Sequence, residues 1–312
     1  MAKMTNQVHK RSLWRTILQY KYFYIMVLPL LAWYAIFSYA PMYGVTLAFK
    51  TFDYREGILG SPWIGLEHFR TMMTDLELRR AFFNTIMISL VKLVTHFPTP
   101  IILAIVLYEF SRVVARRVFQ TILTFPHFIS WVVLSGIIVN LMSRDGIMNQ
   151  LIVMFGGEAI SPLVDENSFR PILYITHIWR EIGWDSIIYL AALAGINPEL
   201  YEAAEMDGAN RFKRLLHIAW PGIKSTVAIL LILHVGQLMS QGASFDQIFN
   251  LYSSPVYSVA DTIDTFIYRT SFTTGGDFGY TTAVGIMKSF ISLVLLVVAN
   301  TIVKKLGEEG LY

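Results

Sequence analysis

The stretch 201-YEAAEMDGANRFKRLLHIAWP-221 determines how the rest of this sequence is interpreted. It is polar, carries charges of both signs and lies between long apolar runs. Just before it, Asn197 is a typical helix N-cap, and Pro198 suits the first helical position, where a missing N–H costs nothing. Gly208 can adopt the left-handed conformation that ends a helix. These residues predict a short helix, a turn and a second short helix that ends at Pro221, together an exposed knob that contacts a partner.

The composition is that of a membrane protein. Of the 312 residues, 54% are hydrophobic and 15% are charged, whereas soluble domains carry about 25% charged residues. There is no cysteine, which excludes disulfides, thiol catalysis and cysteine metal sites. Zinc-protease, phosphate-loop and serine-hydrolase motifs are also missing from the sequence. We therefore predict a protein that is not an enzyme, and any source of energy must come from another chain.

Six apolar segments are long enough to cross a bilayer. The predicted spans cover about 22–49, 81–108, 118–143, 171–196, 225–245 and 278–303. Cations outnumber acids in the flank 1–21 and in the connection after the second span, and the loop 197–221 carries the basic run Arg211, Lys213 and Arg214. The positive-inside rule therefore places these three segments in the cytoplasm. The prediction is an all-α integral membrane protein with six transmembrane helices in one domain, 22–304, and a cytoplasmic tail, 305–312.

Polar groups inside the predicted spans are costly and therefore informative. Placing a lysine at a helix centre costs about 2.5–3.5 kcal/mol on insertion scales, so such residues usually face a bundle interior or water. Lys92 and His96 share one face of the second span, and Lys288 lies in the sixth. Each can line a solute path. Alternatively, Lys92 reaches the outer headgroups, and Lys288 locks two helices together.

The fifth span carries a polar stripe. His234, Gln237, Ser240, Gln241 and Ser244 fall within one 120° sector if the span is helical throughout. Hydrogen bonds between helices would account for one or two such residues. Five exceed what a single contact needs, so we favour a path for a hydroxyl-rich solute.

The fourth span offers groups that suit a sugar. His177, Glu181 and Trp184 share a face, and Asp185 lies beside it. Carboxylates accept hydrogen bonds from hydroxyls, and an indole gives a flat apolar surface for a pyranose ring. An ion pair from Glu181 that only locks helices remains an equal alternative.

The opening stretch resembles the EAA loop of bacterial ABC importer permeases. The resemblance rests on Glu202-Ala203-Ala204, then Gly208, Ile218 and Pro221 at the spacing of that loop. It implies the type I ABC importer fold, in which this loop is a coupling helix that docks into a cleft of an ATPase subunit. The residues expected to form this contact are Glu202, Ala203, Ala204, Asp207, Gly208 and Arg211. Trp220 stands where the family usually has leucine, which would alter packing against the ATPase only locally.

Other segments extend the resemblance to nearly the whole chain. The runs 41–44, 125–131 and 305–311 are similar to those of sugar-type permeases related to the maltose importers, in a subgroup that handles larger, often uronate-containing saccharides. The resemblance implies a bacterial inner-membrane heterodimer with a second homologous permease. It also implies two ATPase subunits that bind ATP and Mg²⁺, an extracytoplasmic solute-binding protein, a lipid environment, no cofactor in this chain and no nucleic acid.

Substrate class and mechanism leave alternatives open. Lys92, Lys288, His96 and His234 suit an acidic saccharide such as alginate or pectin fragments, whereas Glu181 and Asp185 favour a neutral, maltose-type oligosaccharide. A more remote alternative is a secondary transporter coupled to H⁺ or Na⁺, with His96, Glu181 or Asp185 as a proton relay. A membrane enzyme acting on lipid-linked sugars would need clustered carboxylates at metal-ligand spacing, which the sequence lacks.

Overall fold

The computed structural model describes residues 19–110, 112–240, 242–273, 275–307 and 310. Across these residues every regular element is helical, so the all-helical prediction is confirmed for them. Gln241 and most of the predicted flanks, 1–21 and 305–312, lie outside the described residues. The α-helices are α1 (Lys21–Tyr34), α2 (Gly57–Gly60), α3 (Glu67–Thr74), α4 (Leu76–His96), α5 (Pro98–Tyr108), α6 (Val113–Thr124), α7 (Trp131–Met142), α8 (Ile147–Met154), α9 (Glu166–Ala194), α10 (Pro198–Met206), α11 (Arg211–Arg214), α12 (Trp220–Gly236), α13 (Phe245–Leu251), α14 (Tyr257–Ala260), α15 (Ile263–Phe272) and α16 (Phe278–Lys305).

Several helical stretches are long and apolar enough to cross a membrane. Within the described residues there are five: Lys21–Phe49, Leu76–Tyr108, Trp131–Met154, Arg211–Gly236 and Phe278–Lys305. The first continues α1 through a π-helical turn and a 3₁₀ stretch. Helix α9 has 29 residues and contains most of the predicted fourth span, 171–196, but it carries more charge than the five stretches.

The predicted third span, 118–143, is wrong as a single helix. Helix α6 ends at Thr124, and a short 3₁₀ turn containing Pro126 follows. Ser130 then starts α7 as its N-cap, where its Oγ accepts from the Val133 N–H at 3.4 Å. Pro126 lacks the N–H that a continuous helix would need. Ending α6 and starting α7 at the Ser130 N-cap is therefore more favourable than continuing one helix through the proline.

The predicted end of the second short helix at Pro221 is also wrong. The chain runs from α11 through a π-helical turn, Leu215–Ala219, directly into α12, which contains Pro221 in its first turn. A π turn widens the helix by one residue. It therefore removes the clash between the proline ring and the carbonyl four residues earlier, and the helix continues instead of breaking.

The predicted fifth span, 225–245, ends too late. Helix α12 stops at Gly236, and the described residues 237–240, 242 and 243 form turns before α13 begins. The interpretation of the polar stripe as one face of a continuous helix is therefore wrong. Four of the stripe residues, Gln237, Ser240, Gln241 and Ser244, follow the end of the helix in the sequence, so their angular spacing did not reveal this break.

Helix α9 is the centre of the bundle. It packs against α4, α5, α6 and α12 and buries Phe169 and Leu173 completely. Gly183 permits the closest approach, because a Cβ there would lie 2.2 Å from the backbone carbonyl of Leu123 in α6. At its start, hydrogen bonds from the Ser168 hydroxyl and N–H to the Asp165 carboxylate lower the pKa of Asp165 and cap the helix.

A polar layer ties the ends of α4 and α9 to the segment around α14. The amide of Asn84 donates to the carbonyls of Ser258 and Asp261 at 3.1 and 3.0 Å. Arg170 donates to the Asn84 Oδ1 at 2.8 Å and to the carbonyl of Val259 at 3.0 Å. This layer fixes the position of the chain that follows α13.

Candidate functional site

A cavity of about 470 Å³ opens among α4, α7, α9, the end of α12 and the start of α13. Its lining combines polar groups with the rings of Phe97, Trp131 and Phe245. Eight residues predicted for the solute path lie in this lining: Lys92, His96, Glu181, Asp185, His234, Gln237, Ser240 and Ser244. Residues that are far apart in the sequence are thus brought together around one space.

Two other predicted path residues lie outside the lining. Trp184 stacks its indole on the ring of His127, with parallel planes and 4.4 Å between the ring centroids. Lys288 forms an ion pair with Asp264 of α15. The structure therefore places Lys288 in the helix-locking arrangement. Gln241, the remaining predicted path residue, lies outside the described residues.

Lys92 is held by a buried amide. Lys92 is only 3% exposed, and its Nζ donates to the carbonyl of Ala243 at 3.1 Å and to Gln247 Oε1 at 2.7 Å. The Gln247 Nε2 donates in turn to the carbonyl of Leu173 at 2.8 Å and to Thr176 Oγ1 at 2.9 Å. The Gln247 side chain thus joins α4, α9 and α13. Lys92 is held in this network and does not extend toward the lipid headgroups.

His96 and Asp185 form a second pair across α4 and α9. His96 Nε2 lies 2.8 Å from Asp185 Oδ2, and the ring of His177 meets the His96 ring edge to face at 4.8 Å between centroids. Phe97 packs on His234 with 5.5 Å between centroids. These five side chains form a polar and aromatic part of the cavity lining.

Glu181 is engaged by two basic groups. Its Oε2 lies 2.6 Å from His127 Nδ1, and its Oε1 pairs with the neighbouring Arg180. Arg180 also donates to the carbonyls of His127 and Ile129, at 2.9 and 3.2 Å, and lies over the ring of Trp131. The carboxylate and guanidinium therefore anchor the break between α6 and α7 against α9.

The turn after Gly236 places main-chain atoms at the cavity. Within residues 237–244, Ser244 has a left-handed φ of 57°, a conformation that serine adopts rarely. Gly242 lies against α4, where a Cβ would come within 2.7 Å of Ser89 Oγ. At membrane depth, irregular backbone is tolerated where it is buried in protein or lines a water-filled cavity. The broken helix is thus a direct structural sign of a polar space.

The charges around the cavity are unequally compensated. The carboxylates of Glu181 and Asp185 each have a basic side chain at hydrogen-bonding distance. Lys92 has only neutral oxygens as hydrogen-bond acceptors among the described residues. Asp246, at the start of α13, is exposed at the rim. The Arg180 guanidinium therefore offsets the charge of Glu181 toward a negatively charged solute.

Sequence reasoning missed Gln247 and His127 as members of this site. Gln247 is fully buried, and its three partner side chains and carbonyls lie 71 to 155 residues away in the sequence. It falls in a stretch that the span prediction placed outside the membrane. No local pattern identifies it, whereas the short run around Pro126 was a signal that the chain bends at His127.

The segment 197–221 forms the predicted helix and stop. Asn197 caps α10 by accepting the Glu199 N–H at 3.1 Å. Gly208 has a φ of 71°, and its N–H donates to the Glu205 carbonyl at 3.0 Å. The next N–H, from Ala209, returns to the Ala204 carbonyl at 2.8 Å, which completes a Schellman motif.

One side of α10 faces the chain and the other is open. Burial raises the pKa of Tyr201 to about 12, and its ring lies 6.0 Å from that of Tyr108. Met206 is 89% exposed and Leu200 is 53% exposed. The predicted coupling residues Glu202, Ala203, Asp207, Gly208 and Arg211 are exposed, and Ala204 is half-buried. The open side therefore combines small, apolar and charged groups.

Comparison with known proteins places this architecture in a family. The sequence profile described as "Binding-protein-dependent transport system inner membrane component" matches residues 96–308. The polygalacturonan/rhamnogalacturonan transport system permease protein YteP of Bacillus subtilis (strain 168) is 41% identical, over 95% of this chain and 92% of its own length. The protein LplB of the same organism is also 41% identical, over 94% of this chain and 91% of its own length.

A solved structure agrees in fold as well as sequence. One chain of the "Crystal structure of bacterial alginate ABC transporter in complex with alginate pentasaccharide-bound periplasmic protein" superposes with a TM-score of 0.87. It is 36% identical, and the match covers 96% of this chain and all of that chain. These matches exclude the secondary transporter and the membrane enzyme as alternatives. The chain belongs to the family of inner-membrane components of binding-protein-dependent transport systems, as a non-enzymatic permease subunit with the type I ABC importer fold.

Proposed function

We propose that this permease serves an ATP-driven importer of acidic, uronate-containing saccharides. The observation that carries the proposal is the combination of a polar cavity within the bundle and two similar transport proteins named for acidic polysaccharides, alginate and polygalacturonan/rhamnogalacturonan. The cavity supplies donors and acceptors for sugar hydroxyls and aromatic surfaces for sugar rings. The ion pair of Glu181 with the Arg180 guanidinium weakens the electrostatic objection to an acidic cargo.

The same proposal gives the segment 197–221 the role of a coupling helix. Its open side would dock into a cleft of an ATPase subunit, where Glu202 would pair with a basic group and Ala203 and Ala204 would permit close approach. ATP and Mg²⁺ would bind to the partner ATPases. Closure of the ATPases would pull the coupling helices of the two permeases together and open the cavity outward, and their separation would release the saccharide inward.

The proposed assembly is a heterodimer of permeases with two ATPases and an extracytoplasmic binding protein. Exposure of α1 supports a partner or lipid on that side, because none of its residues is buried within this chain. We assign six spans, counting α9 as the fourth because its carboxylates Glu181 and Asp185 line the cavity within the bundle. With six spans both termini face the cytoplasm, and the segment 197–221 lies on the same side as the ATPases.

The test is transport by the complete complex reconstituted in proteoliposomes. Binding protein loaded with oligogalacturonate, alginate oligomer or a neutral malto-oligosaccharide of matched length is added outside, with ATP inside. We expect ATP hydrolysis and labelled-saccharide uptake to rise with the acidic cargoes. Stimulation by the neutral cargo alone would instead indicate a maltose-type importer.

A further inference from the structure

Gln247 is a buried side chain behind the cavity wall, and it holds the cavity-lining Lys92. It is 0% exposed, its Oε1 accepts from Lys92, and its Nε2 donates to Leu173 and Thr176. A buried amide whose donors are both used has a fixed orientation, because exchanging its oxygen and nitrogen would place donors against Lys92 and an acceptor against a carbonyl. The amide oxygen therefore always faces Lys92.

This arrangement leaves part of the Lys92 ammonium available. An ammonium has three N–H donors, and two of them go to Ala243 and Gln247. Among the described residues no acceptor takes the third, although Lys92 lines the cavity. Both existing acceptors are neutral, so they orient the ammonium without cancelling its charge.

We propose that Gln247 is a positioning residue that fixes the Lys92 ammonium at the cavity wall, and that Lys92 recognises the carboxylate of a uronate unit during transport. This inference rests on the proposed function and names the chemical group that the cavity selects. A neutral amide is the appropriate holder for this task. A glutamate at position 247 would also accept from Lys92, but it would cancel the charge that attracts the cargo and would place an acceptor against the Leu173 carbonyl.

A comparable pair elsewhere in the bundle supplies a matched control. The Asn84 Oδ1 accepts from Arg170 at 2.8 Å, and its amide nitrogen donates to two backbone carbonyls. Asn84 is also buried, but it does not line the cavity. Asn84→Asp therefore makes the same chemical change as Gln247→Glu, next to a cation and inside the bundle, without altering the charge of the cavity wall.

The experiment measures uptake kinetics in the reconstituted complex with oligogalacturonate and with its methyl ester, which has the same chain without the charges. We expect Lys92→Met and Gln247→Glu each to raise the KM for the acid about tenfold, equivalent to about 1.4 kcal/mol. The KM for the ester should stay within about twofold, a margin equivalent to about 0.4 kcal/mol. Asn84→Asp should change neither KM, although it can lower the amount of assembled complex.

Three outcomes would overturn the inference: an unchanged KM for the acid in Lys92→Met, an unchanged KM in Gln247→Glu, or equal increases for acid and ester. If Gln247→Glu does not assemble, Gln247→Met replaces it. That variant removes one of the two hydrogen-bond acceptors of Lys92 and should raise the KM for the acidic saccharide by a smaller factor. An unchanged KM would again overturn the inference. Failure of the wild-type complex to take up any acidic saccharide would contradict the proposed function itself, and the inference would fall with it.

Discussion

The segment 197–221 and the central cavity are built in opposite ways. In the segment, the cap joins residues two apart and the Schellman bond joins Ala209 to Ala204, five apart. In the cavity, Lys92 meets Gln247 across 155 residues, and His96 meets Asp185 across 89. The segment's shape is therefore determined locally, whereas the cavity exists only when the whole bundle is packed. Changes in one should leave the other's function intact.

The largest expected effect comes from breaking the packing that makes the cavity. Gly183→Ala would put a Cβ 2.2 Å from the Leu123 carbonyl, a backbone atom that cannot turn away. Overpacking typically costs 1–3 kcal/mol, and a backbone clash lies at or beyond the upper end. We expect most of the assembled complex to be lost, measured by size-exclusion chromatography of solubilised membranes.

Gly136→Ala in α7 is the matched control for this change. A Cβ at Gly136 meets nothing within 4 Å in this chain, so the variant should assemble like the wild type. A normal yield of Gly183→Ala would show that α6 and α9 can separate without loss of the bundle, and the cavity would then be less dependent on long-range packing than we infer.

Glu202→Ala tests the other side of the comparison. Within the described part of the chain the Glu202 carboxylate has no hydrogen bond or ion pair, so the variant loses no contact of its own fold. Truncating one partner of a buried interfacial charge pair costs about 2–5 kcal/mol. If Glu202 docks on the ATPase, coupled uptake should fall at least about tenfold, while the KM for saccharide stays unchanged.

Glu205→Ala is the control on the same helix, since Glu205 pairs with Arg214 of its own chain at 3.5 Å. It should reduce uptake far less than Glu202→Ala. Uptake that is normal in Glu202→Ala, or a change in its saccharide KM, would contradict the separation of coupling from recognition.

The sequence predicts what depends on local chemistry or on the cost of burying polar groups. Asn197 and Gly208 are sufficient to predict the helix and its stop, because the competing conformations are decided within a few residues. For Lys92, Glu181 and Asp185 the cost of exposure to lipid predicted polar partners, with a solute path and a helix-locking ion pair or headgroup contact left as alternatives. None of these assignments required knowledge of the packing.

What the sequence did not predict depends on tertiary contacts. Helix α12 ends at Gly236, and the turn after it lies against α4, where Gly242 approaches Ser89. Pro221 does not break its helix, because a π turn precedes it. Gln247 has no local signal at all, since each of its partners comes from another helix. Hydropathy reports the environment of a residue but not which neighbours satisfy it.

Gly208→Ala sharpens the claim that local determinants are sufficient for the segment. Its φ of 71° lies in the left-handed region, where an L-residue other than glycine loses roughly 1–2 kcal/mol. We expect the end of α10 to fray and uptake per ATP hydrolysed to fall several-fold, with the saccharide KM unchanged.

Gly285→Ala is the control, because that position has open space and an ordinary φ. It should leave the uptake per ATP hydrolysed at the wild-type value. A wild-type value in Gly208→Ala would mean that the ATPase, and not the glycine, determines the shape of the turn.

The smallest effect, and the one most specific for the cavity, is expected from Asp246→Asn. Asp246 lines the cavity and is exposed, and its carboxylate has no hydrogen-bond or ion-pair partner among the described residues. Removing one solvated negative charge near an acidic cargo is worth about 0.2–1 kcal/mol. The KM for oligogalacturonate should therefore decrease about twofold to threefold, while ATP hydrolysis per saccharide is unchanged.

Asp145→Asn is the control for a general loss of negative charge, because Asp145 is an exposed acid outside the cavity. An equal decrease in both variants would assign the effect to the overall field of the protein, and an increase in Asp246→Asn would make this carboxylate a ligand for sugar hydroxyls.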